Sequence, residues 1–174
     1  MSSTPEPEVW LRGALPGIPP LLQPVAHGLM QCQAEVGATL PVLTTKQIWS
    51  RPENIASIGY HVRHAIGSLD RLFTYARGEQ LSRAQLATLR FEGDASIGPE
   101  TADELIAAFN AEVARAMGRL YGIREATLLE PREVGRARLP STVIGLLFHA
   151  AEHTQRHVGQ LVTTARVLRG VDPG

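Results

Sequence analysis

The chain has 174 residues, of which 44% are apolar, and its 17 basic and 17 acidic side chains give a formal net charge of zero. This balance argues against a nucleic-acid-binding protein, which usually concentrates basic residues on one face. The single cysteine, Cys32, excludes an internal disulfide and a cysteine-rich zinc site, and favours a cytoplasmic location. The first ten residues do not resemble a signal peptide, and no apolar run reaches the ~18 residues of a membrane span.

Residues 1–19 are predicted to form an irregular N-terminal arm, because four prolines fall among scattered polar residues. Trp10 and Leu11 are expected to anchor this arm by packing. The remaining residues, 20–174, are predicted to form one domain, since a chain of this length suits a single hydrophobic core.

Apolar residues at steps of three and four predict a first long helix over residues 20–40, which Pro41 ends. Residues 44–52 are expected to be a linker. A second long helix is predicted from Pro52 to Arg77, because proline suits the first helical position and glycine follows at the expected end.

The second half of the chain predicts two more long helices. A connector of about 20 residues, with a short helix around Arg83–Leu89, is long enough to cross a helical bundle. The third long helix is predicted from Pro99 to Tyr121, and a polar linker over residues 124–139 leads to a fourth helix that opens at Pro140 or Ser141. With no convincingly alternating strand, the sequence predicts an all-α four-helix bundle.

The fourth helix carries three histidines at a spacing of four: His149, His153 and His157. Since a helix turns ~100° per residue, all three imidazoles lie along one stripe, and Gln160 and Thr164 fall close to the same line. A polar, imidazole-rich stripe on an otherwise apolar helix is typical of a metal site inside a bundle. His149 and Gln160 are expected to contact substrate or a bound ligand rather than to bind the metal.

The second helix offers the missing part of such a site. His61 and His64 share one face with other polar residues, and metal sites in bundles are assembled from inward side chains on facing helices. Spacing alone leaves open which of these two histidines takes part. His27 is interpreted as an ordinary helix residue, and Cys32 as a buried, unreactive thiol. The alternative interpretation is that all the histidines are buried polar groups without a metal.

Imidazole ligands suit zinc, nickel, copper and iron, and three protein ligands with an open position are typical of a catalytic site. A metal in such a site acidifies a bound water or thiol. The segment HTQRH at 153–157 lacks the glutamate that zincin proteases place beside their first histidine, which argues against that chemistry.

Two stretches of the chain resemble the DinB-like (YfiT-like) metalloenzymes. Residues 52–82, PENIASIGYHVRHAIGSLDRLFTYARGEQLS, resemble the family's second helix with its single metal histidine. Residues 135–168, GRARLPSTVIGLLFHAAEHTQRHVGQLVTTARVL, resemble its last helix, where two ligands at HxxxH are followed by Gly-Gln. The similarity runs from the first long helix to the C-terminus.

The resemblance implies a ligand triad of His64, His153 and His157. The family's second helix often has a serine near its start, and seven residues on from Ser57 is His64, so His61 is an additional histidine near the metal. The resemblance also implies an up-down-down-up topology, a divalent metal such as zinc or nickel, and a homodimer.

Relatives of this kind include bacillithiol-dependent S-transferases, a mycothiol-dependent isomerase and many damage-inducible proteins. The resemblance therefore implies a metal-dependent transferase that uses a low-molecular-weight thiol, or a hydrolase, acting on a small electrophilic substrate. His61, His149 and Gln160 are the residues expected to orient the nucleophile or the substrate. The alternative hypothesis is a bundle that binds a metal or ligand in a stress response without turnover.

Overall fold

The computed structural model describes residues 7–94, 96 and 100–171. Residues 1–6 of the predicted arm and 172–174 at the C-terminus therefore lie outside the described residues. The secondary-structure elements, in chain order, are α1 (Gln23–Thr39), α2 (Thr45–Trp49), α3 (Ile58–Ala76), α4 (Arg83–Phe91), α5 (Ala102–Tyr121), β1 (Pro131–Val134), β2 (Leu139–Thr142) and α6 (Val143–Val171).

The prediction of a mostly helical protein is confirmed, with a small two-stranded sheet as the addition. Helices α3 and α6 form the most extensive contact; α1 packs on α6, and α5 packs on both α1 and α3. These four long helices share one hydrophobic core. No helix in the described ranges combines the length and the apolarity needed to cross a membrane.

Helix α3 begins at Ile58, and the predicted start at Pro52 is wrong. Glu53 and Asn54 have φ values of 48° and 63°, in the left-handed region, so an α-helix cannot run through them. Ser57 then caps the true start, because its Oγ accepts a hydrogen bond of 3.1 Å from the amide of Tyr60. The cap fixes the turn that precedes the histidines of α3.

The predicted linker at residues 44–52 contains a short helix, α2, and this part of the expectation is also wrong. Thr44 and Gln47 form a capping box at its start, which compensates for its short length. At its end, the Trp49 indole donates a hydrogen bond of 3.0 Å to the carbonyl of Glu100, and the Arg63 guanidinium lies 4.2 Å above its ring. Trp49 also lies against Gly59 of α3, so α2 is fixed to the site-bearing helix.

Replacing Gly59 with alanine is expected to destabilise the protein by about 1–3 kcal/mol, as overpacking of a close contact usually does. The new Cβ would stand 2.6 Å from the Trp49 ring, which is backed by its hydrogen bond to Glu100. Urea denaturation measures the change. The matched control is Gly118→Ala on α5, where a Cβ meets nothing within 4 Å and helix propensity predicts a gain of up to about 1 kcal/mol. Equal effects of the two substitutions would contradict the prediction.

The predicted polar linker at 124–139 contains a β-hairpin, so the expectation of no strand is wrong. Strands β1 and β2 pair antiparallel with Val134 opposite Leu139, and Gly135 and Arg138 adopt positive φ values of 69° and 52° between them. The strands are four residues long and each contains a proline, so no alternating pattern was visible. Because β2 extends to Thr142, α6 begins at Val143 rather than at the predicted Pro140 or Ser141.

The N-terminal arm is anchored by other residues than predicted. Trp10 and Leu11 are 62% and 56% exposed, whereas Val9 and Ile18 are buried at 2% and 5%. A 3-10 turn over Val9–Leu11 directs Val9 inward and leaves its two larger neighbours in solvent. The expected anchoring by Trp10 and Leu11 is therefore wrong.

Cys32 lies on the core face of α1, as predicted. Its side chain is 1% exposed, and burial raises the pKa of its thiol to about 12. The thiolate is the reactive form of cysteine, so Cys32 is unreactive near neutral pH.

Candidate metal centre

Helices α3 and α6 bring three of the predicted histidines together. One ring nitrogen from each of His64, His153 and His157 can be chosen so that all three lie within 4.8 Å of one another. The Nε2 atoms of His64 and His153 are 2.9 Å apart, and the ring of His157 is centred 4.4 Å from His64 and 4.6 Å from His153. Three imidazoles at these distances can hold one metal ion.

His61 lies beside this triad and contacts His157. The Nδ1 atoms of the two rings are 2.9 Å apart, and His61 is only 6% exposed. A hydrogen bond between two ring nitrogens needs one N–H and one lone pair. With His157 as the donor, its Nε2 keeps a lone pair for a metal, so His61 can set the tautomer that ligation requires.

A carboxylate that the sequence analysis missed holds His64 from the other side. The Nδ1 atom of His64 is 2.7 Å from Oε2 of Glu92, and Arg71 donates a hydrogen bond of 2.5 Å to Oε1 of the same carboxylate. Glu92 is 4% exposed and follows directly after α4. A histidine whose Nδ1–H donates to a carboxylate presents the Nε2 lone pair to a metal, an arrangement common to metal-binding histidines.

Gly67 makes room for this carboxylate. A Cβ at position 67 would stand 2.2 Å from Oε1 of Glu92 and 2.6 Å from Nη1 of Arg71. Any side chain larger than hydrogen would therefore displace the pair that holds His64. Gly67 lies one turn after His64 on α3, so the packing requirement and the site share one helix face.

Tyr60 covers the His64 ring. The two rings are nearly parallel, with an interplanar angle of 16° and centroids 5.5 Å apart. Tyr60 also meets the rings of His61 and His157 edge-on, at 5.4 Å and 6.4 Å. The tyrosine thus restricts the orientation of the His64 ring.

The other predicted site residues are not part of the triad. His149 is half exposed; its Nδ1 is 3.2 Å from Oε2 of Glu152, and its ring is centred 5.3 Å from that of His153. Gln160 is exposed on α6. His27 lies away from the site, with its Nε2 3.0 Å from the carbonyl of Gly13.

The environment of the site disfavours protonated histidines. Burial, reinforced by the neighbouring imidazoles, lowers the pKa of His157 to about 3. Burial is also the main cause that lowers the pKa values of His61 and His153, with His64 adding to it in both cases. Metal ligation requires neutral imidazole, so these histidines are in the required state at neutral pH.

The donor set fits a divalent metal. His64 donates through Nδ1 to Glu92, which leaves a lone pair on the Nε2 that faces Nε2 of His153 at 2.9 Å. The Nδ1 of His153 is buried and has no hydrogen-bond partner within the part of the chain that the structure describes. Imidazole nitrogens that converge in this way match the preference of zinc, nickel and copper for imidazole ligands.

Replacing Glu92 with glutamine is expected to lower the affinity for Zn²⁺ by about 10- to 100-fold, the usual effect of removing the carboxylate behind a metal-binding histidine. The neutral amide keeps the shape but no longer stabilises the Nδ1–H tautomer of His64. Isothermal titration calorimetry measures the affinity. The control is Glu133→Gln on β1, whose carboxylate pairs with Arg138 away from the site and whose loss should leave the affinity unchanged. An unchanged affinity for Glu92→Gln would contradict the proposed role.

The chain is similar to known proteins over most of its length. The model of the DinB superfamily matches residues 31–161, which include all three histidines of the triad. A solved structure, described as that of the conserved protein of a locus from Enterococcus faecalis, matches with a TM-score of 0.66 and 22% identity. The match covers 86% of this chain and 97% of that chain, and at this identity it shows a shared fold alone. No curated protein matches the sequence.

Proposed function

This chain belongs to the DinB superfamily, and we propose that it is a metal-dependent enzyme acting on a small electrophilic substrate. The observation that carries the proposal is the convergence of His64, His153 and His157, with ring nitrogens within 4.8 Å of one another. Three protein ligands leave a further coordination position for a reactant, which is the arrangement of catalytic rather than structural sites.

We propose that these three histidines bind zinc or nickel. When bound, the metal supplies a Lewis acid that makes a coordinated water or thiol acidic enough to be deprotonated near neutral pH. Glu92 and His61 hold His64 and His157 in the tautomers that ligation requires, through the contacts of 2.7 Å and 2.9 Å. Tyr60 keeps the His64 ring in place by stacking.

His149 is the proposed proton acceptor. Its Nδ1 lies 3.2 Å from Oε2 of Glu152, and donation to that carboxylate leaves a lone pair on Nε2. The side chain is half exposed, and its ring is centred 5.3 Å from that of His153. A histidine oriented by a carboxylate is the usual form of a general base. Gln160, exposed on the same helix, is proposed to contact the substrate or thiol.

A cavity of about 260 Å³ lined by Tyr60 is the proposed substrate site. Tyr60 also stacks on His64, so this one side chain connects the cavity to the triad, whose histidines are not among the lining residues. Arg51 and Ser57 also line it and supply hydrogen-bond donors for a polar substituent. The volume suits a small molecule rather than a polymer.

The test is a reaction screen with zinc- or nickel-loaded protein. Low-molecular-weight thiols are combined with small electrophiles, and hydrolysis is followed without thiol. The proposal predicts turnover that a chelator abolishes and the metal restores, and that His149→Ala lowers while the metal stays bound. Metal binding without turnover in any combination would support the alternative of a non-catalytic metal- or ligand-binding protein. Turnover that persists in metal-free protein would contradict the proposal.

We further propose that α1, α3, α5 and α6 form an up-down-down-up four-helix bundle within one domain, and that the protein is a homodimer. The 25 or so residues between α3 and α5 are long enough for the crossover that this topology needs. Exposed apolar side chains support the proposed homodimer, because they could be buried between two copies of the chain. Leu129, Leu139 and Phe148 are 77%, 60% and 61% exposed. Light scattering at several concentrations measures the mass.

A further inference from the structure

A second cavity, of about 390 Å³, lies where the ends of α3 and α5 meet the starts of β1 and α6. Four arginines line it, and Glu130 is the acidic residue among its described lining residues. The four are Arg77, Arg119, Arg124 and Arg132. None of the triad histidines lines it. We call it the Arg124 cavity; its volume is within the range of small-molecule sites.

The Arg124 cavity also has an apolar wall. Phe73 of α3 and Val143 and Leu147 of α6 line it and belong to the hydrophobic core. Ile123 lines it as well, and this side chain packs against the core but is only partly buried. An apolar group that covers Ile123 is removed from water together with it, which favours binding.

Two of the arginines are hydrogen-bonded to backbone carbonyls in the last turn of α3. Nη1 of Arg77 donates to the carbonyl of Phe73 at 3.1 Å, and Nε of Arg132 donates to the carbonyl of Ala76 at 2.7 Å. Carbonyls at the C-terminal end of a helix carry partial negative charge and repel an anion. The two guanidinium groups offset that repulsion beside the cavity.

Three of the four arginines have a carboxylate partner. The nearest nitrogen and oxygen atoms are 2.6 Å, 2.9 Å and 3.7 Å apart in the pairs Arg77 with Glu79, Arg132 with Glu130, and Arg119 with Asp70. We assign no ligand contact to these three guanidinium groups, because they are already paired. Their charges are balanced by their partners, so Arg124 is left as the uncompensated charge of the cavity.

Arg124 is exposed, and its guanidinium has no hydrogen-bond or ion-pair partner among the residues that the structure describes. Because the side chain is not held by another residue, it can turn toward a bound anion without breaking an existing pair. The guanidinium N–H groups form a planar fork that matches the two oxygens of a carboxylate.

We propose that the Arg124 cavity binds a small monocarboxylate with an apolar body. The carboxylate accepts hydrogen bonds from Arg124, and the apolar body lies against Ile123. One negative charge balances the one uncompensated guanidinium, whereas a dianion leaves an excess charge. A neutral apolar molecule leaves Arg124 unpaired, and a small inorganic anion leaves the apolar wall in contact with water.

The test is calorimetric titration of the chelator-treated full-length chain with benzoate and hexanoate, compared with benzamide and acetate. Chelation removes any metal to which a carboxylate could bind, and no triad histidine lines the cavity, so failure of the proposed metal site would not affect the result. Saturable binding of benzoate or hexanoate is expected. Benzamide lacks the charge and acetate lacks the apolar body, and each should bind at least about 10-fold more weakly. Absence of saturable binding, or equal affinity for benzamide, would overturn the proposal.

Substitutions of Arg124 locate the binding. Arg124→Gln is expected to weaken carboxylate binding by at least about 10-fold, and Arg124→Lys, which keeps the charge but not the fork, should fall between it and the unchanged protein. The exposure of Arg124 means that neither change disturbs the core. The control is Arg138→Gln, which removes an equal charge from the exposed hairpin and should leave binding unchanged. Full affinity in Arg124→Gln, or an equal loss in Arg138→Gln, would contradict the assignment.

Discussion

Replacing His153 with alanine is expected to lower the affinity of the protein for Zn²⁺ by more than about 100-fold, since loss of a ligand costs more than loss of the group behind one. His153 contributes the Nε2 atom that faces His64 at 2.9 Å, and two imidazoles cannot complete the site. The substitution removes a side chain that is only partly buried, so the fold should persist. Calorimetric titration with Zn²⁺, with circular dichroism to check folding, measures the effect.

The matched control is His149→Ala, four residues earlier on the same helix. His149 is half exposed and pairs with Glu152, so its loss should leave the Zn²⁺ affinity within about 3-fold of the unchanged protein. Comparable losses in the two variants would mean that the histidines of α6 bind metal non-specifically. Unchanged affinity in His153→Ala would exclude it as a ligand.

The metal-free protein is expected to lose stability as the pH falls from 7 to 5. The pKa of His157 is lowered by burial to about 3 in the folded state, whereas an unfolded chain titrates near 6.5. Below pH 6.5 the unfolded state therefore binds a proton that the folded state does not bind. The free energy of unfolding consequently decreases as the pH decreases. After a discount for partial solvent screening, His157 is expected to lower the free energy of unfolding by about 1 kcal/mol at pH 5. His61 and His153, whose pKa values are lowered in the same direction, add to it.

Urea denaturation at pH 7, 6 and 5 in the presence of a chelator measures this loss. Glu79, Glu104 and Glu152 contribute at lower pH, because hydrogen bonds from Arg77, Thr101 and Arg156 respectively lower their pKa values, and their stabilisation is lost only as the pH falls below about 4.5. Burial raises the pKa of Glu112, and this opposes the loss from the histidines. His157→Gln, which does not titrate, should show a flatter profile over the same interval. A profile that is flat in the unchanged protein would contradict the burial of neutral histidines.

The helical part of the fold was predictable because amphipathic periodicity is a local property of the sequence. The four long helices were recognised from apolar residues at helical spacing, and α5 and α6 were placed to within three residues. The start of α3 was misplaced because the proline at position 52 was interpreted as a helix start, whereas Glu53 and Asn54 adopt left-handed backbone angles that periodicity does not reveal. The hairpin was missed because its strands are too short and too rich in proline to alternate.

The sequence predicted the histidines of the candidate site but not the residues that hold them in position. Spacing placed His153 and His157 on one face, but it could not choose between His61 and His64, because both lie on the same side of α3. Distances distinguish them: His64 approaches His153, whereas His61 contacts His157 through Nδ1. The role of each in metal binding remains a prediction.

Glu92 could not be found from the sequence because it comes from the connector after α4, 28 residues from the histidine that it contacts. No periodicity relates a loop residue to a helix face. Two residues of α3 depend on Glu92: Gly67 leaves room for its carboxylate, and Arg71 donates a hydrogen bond to it. In the sequence, a glycine and an arginine in a helix do not by themselves indicate such a partner. Groups that support a site from outside its own helices are therefore the part that sequence patterns miss.

X-ray absorption spectroscopy of zinc-loaded protein tests the central claim most directly, because it counts the imidazole ligands. The proposed site predicts one zinc ion per chain with three histidine nitrogens at about 2.0 Å, and a lower count of imidazoles in His153→Ala. Substoichiometric zinc after loading at neutral pH, or a spectrum with fewer than three imidazoles in the unchanged protein, would contradict a metal centre built from His64, His153 and His157.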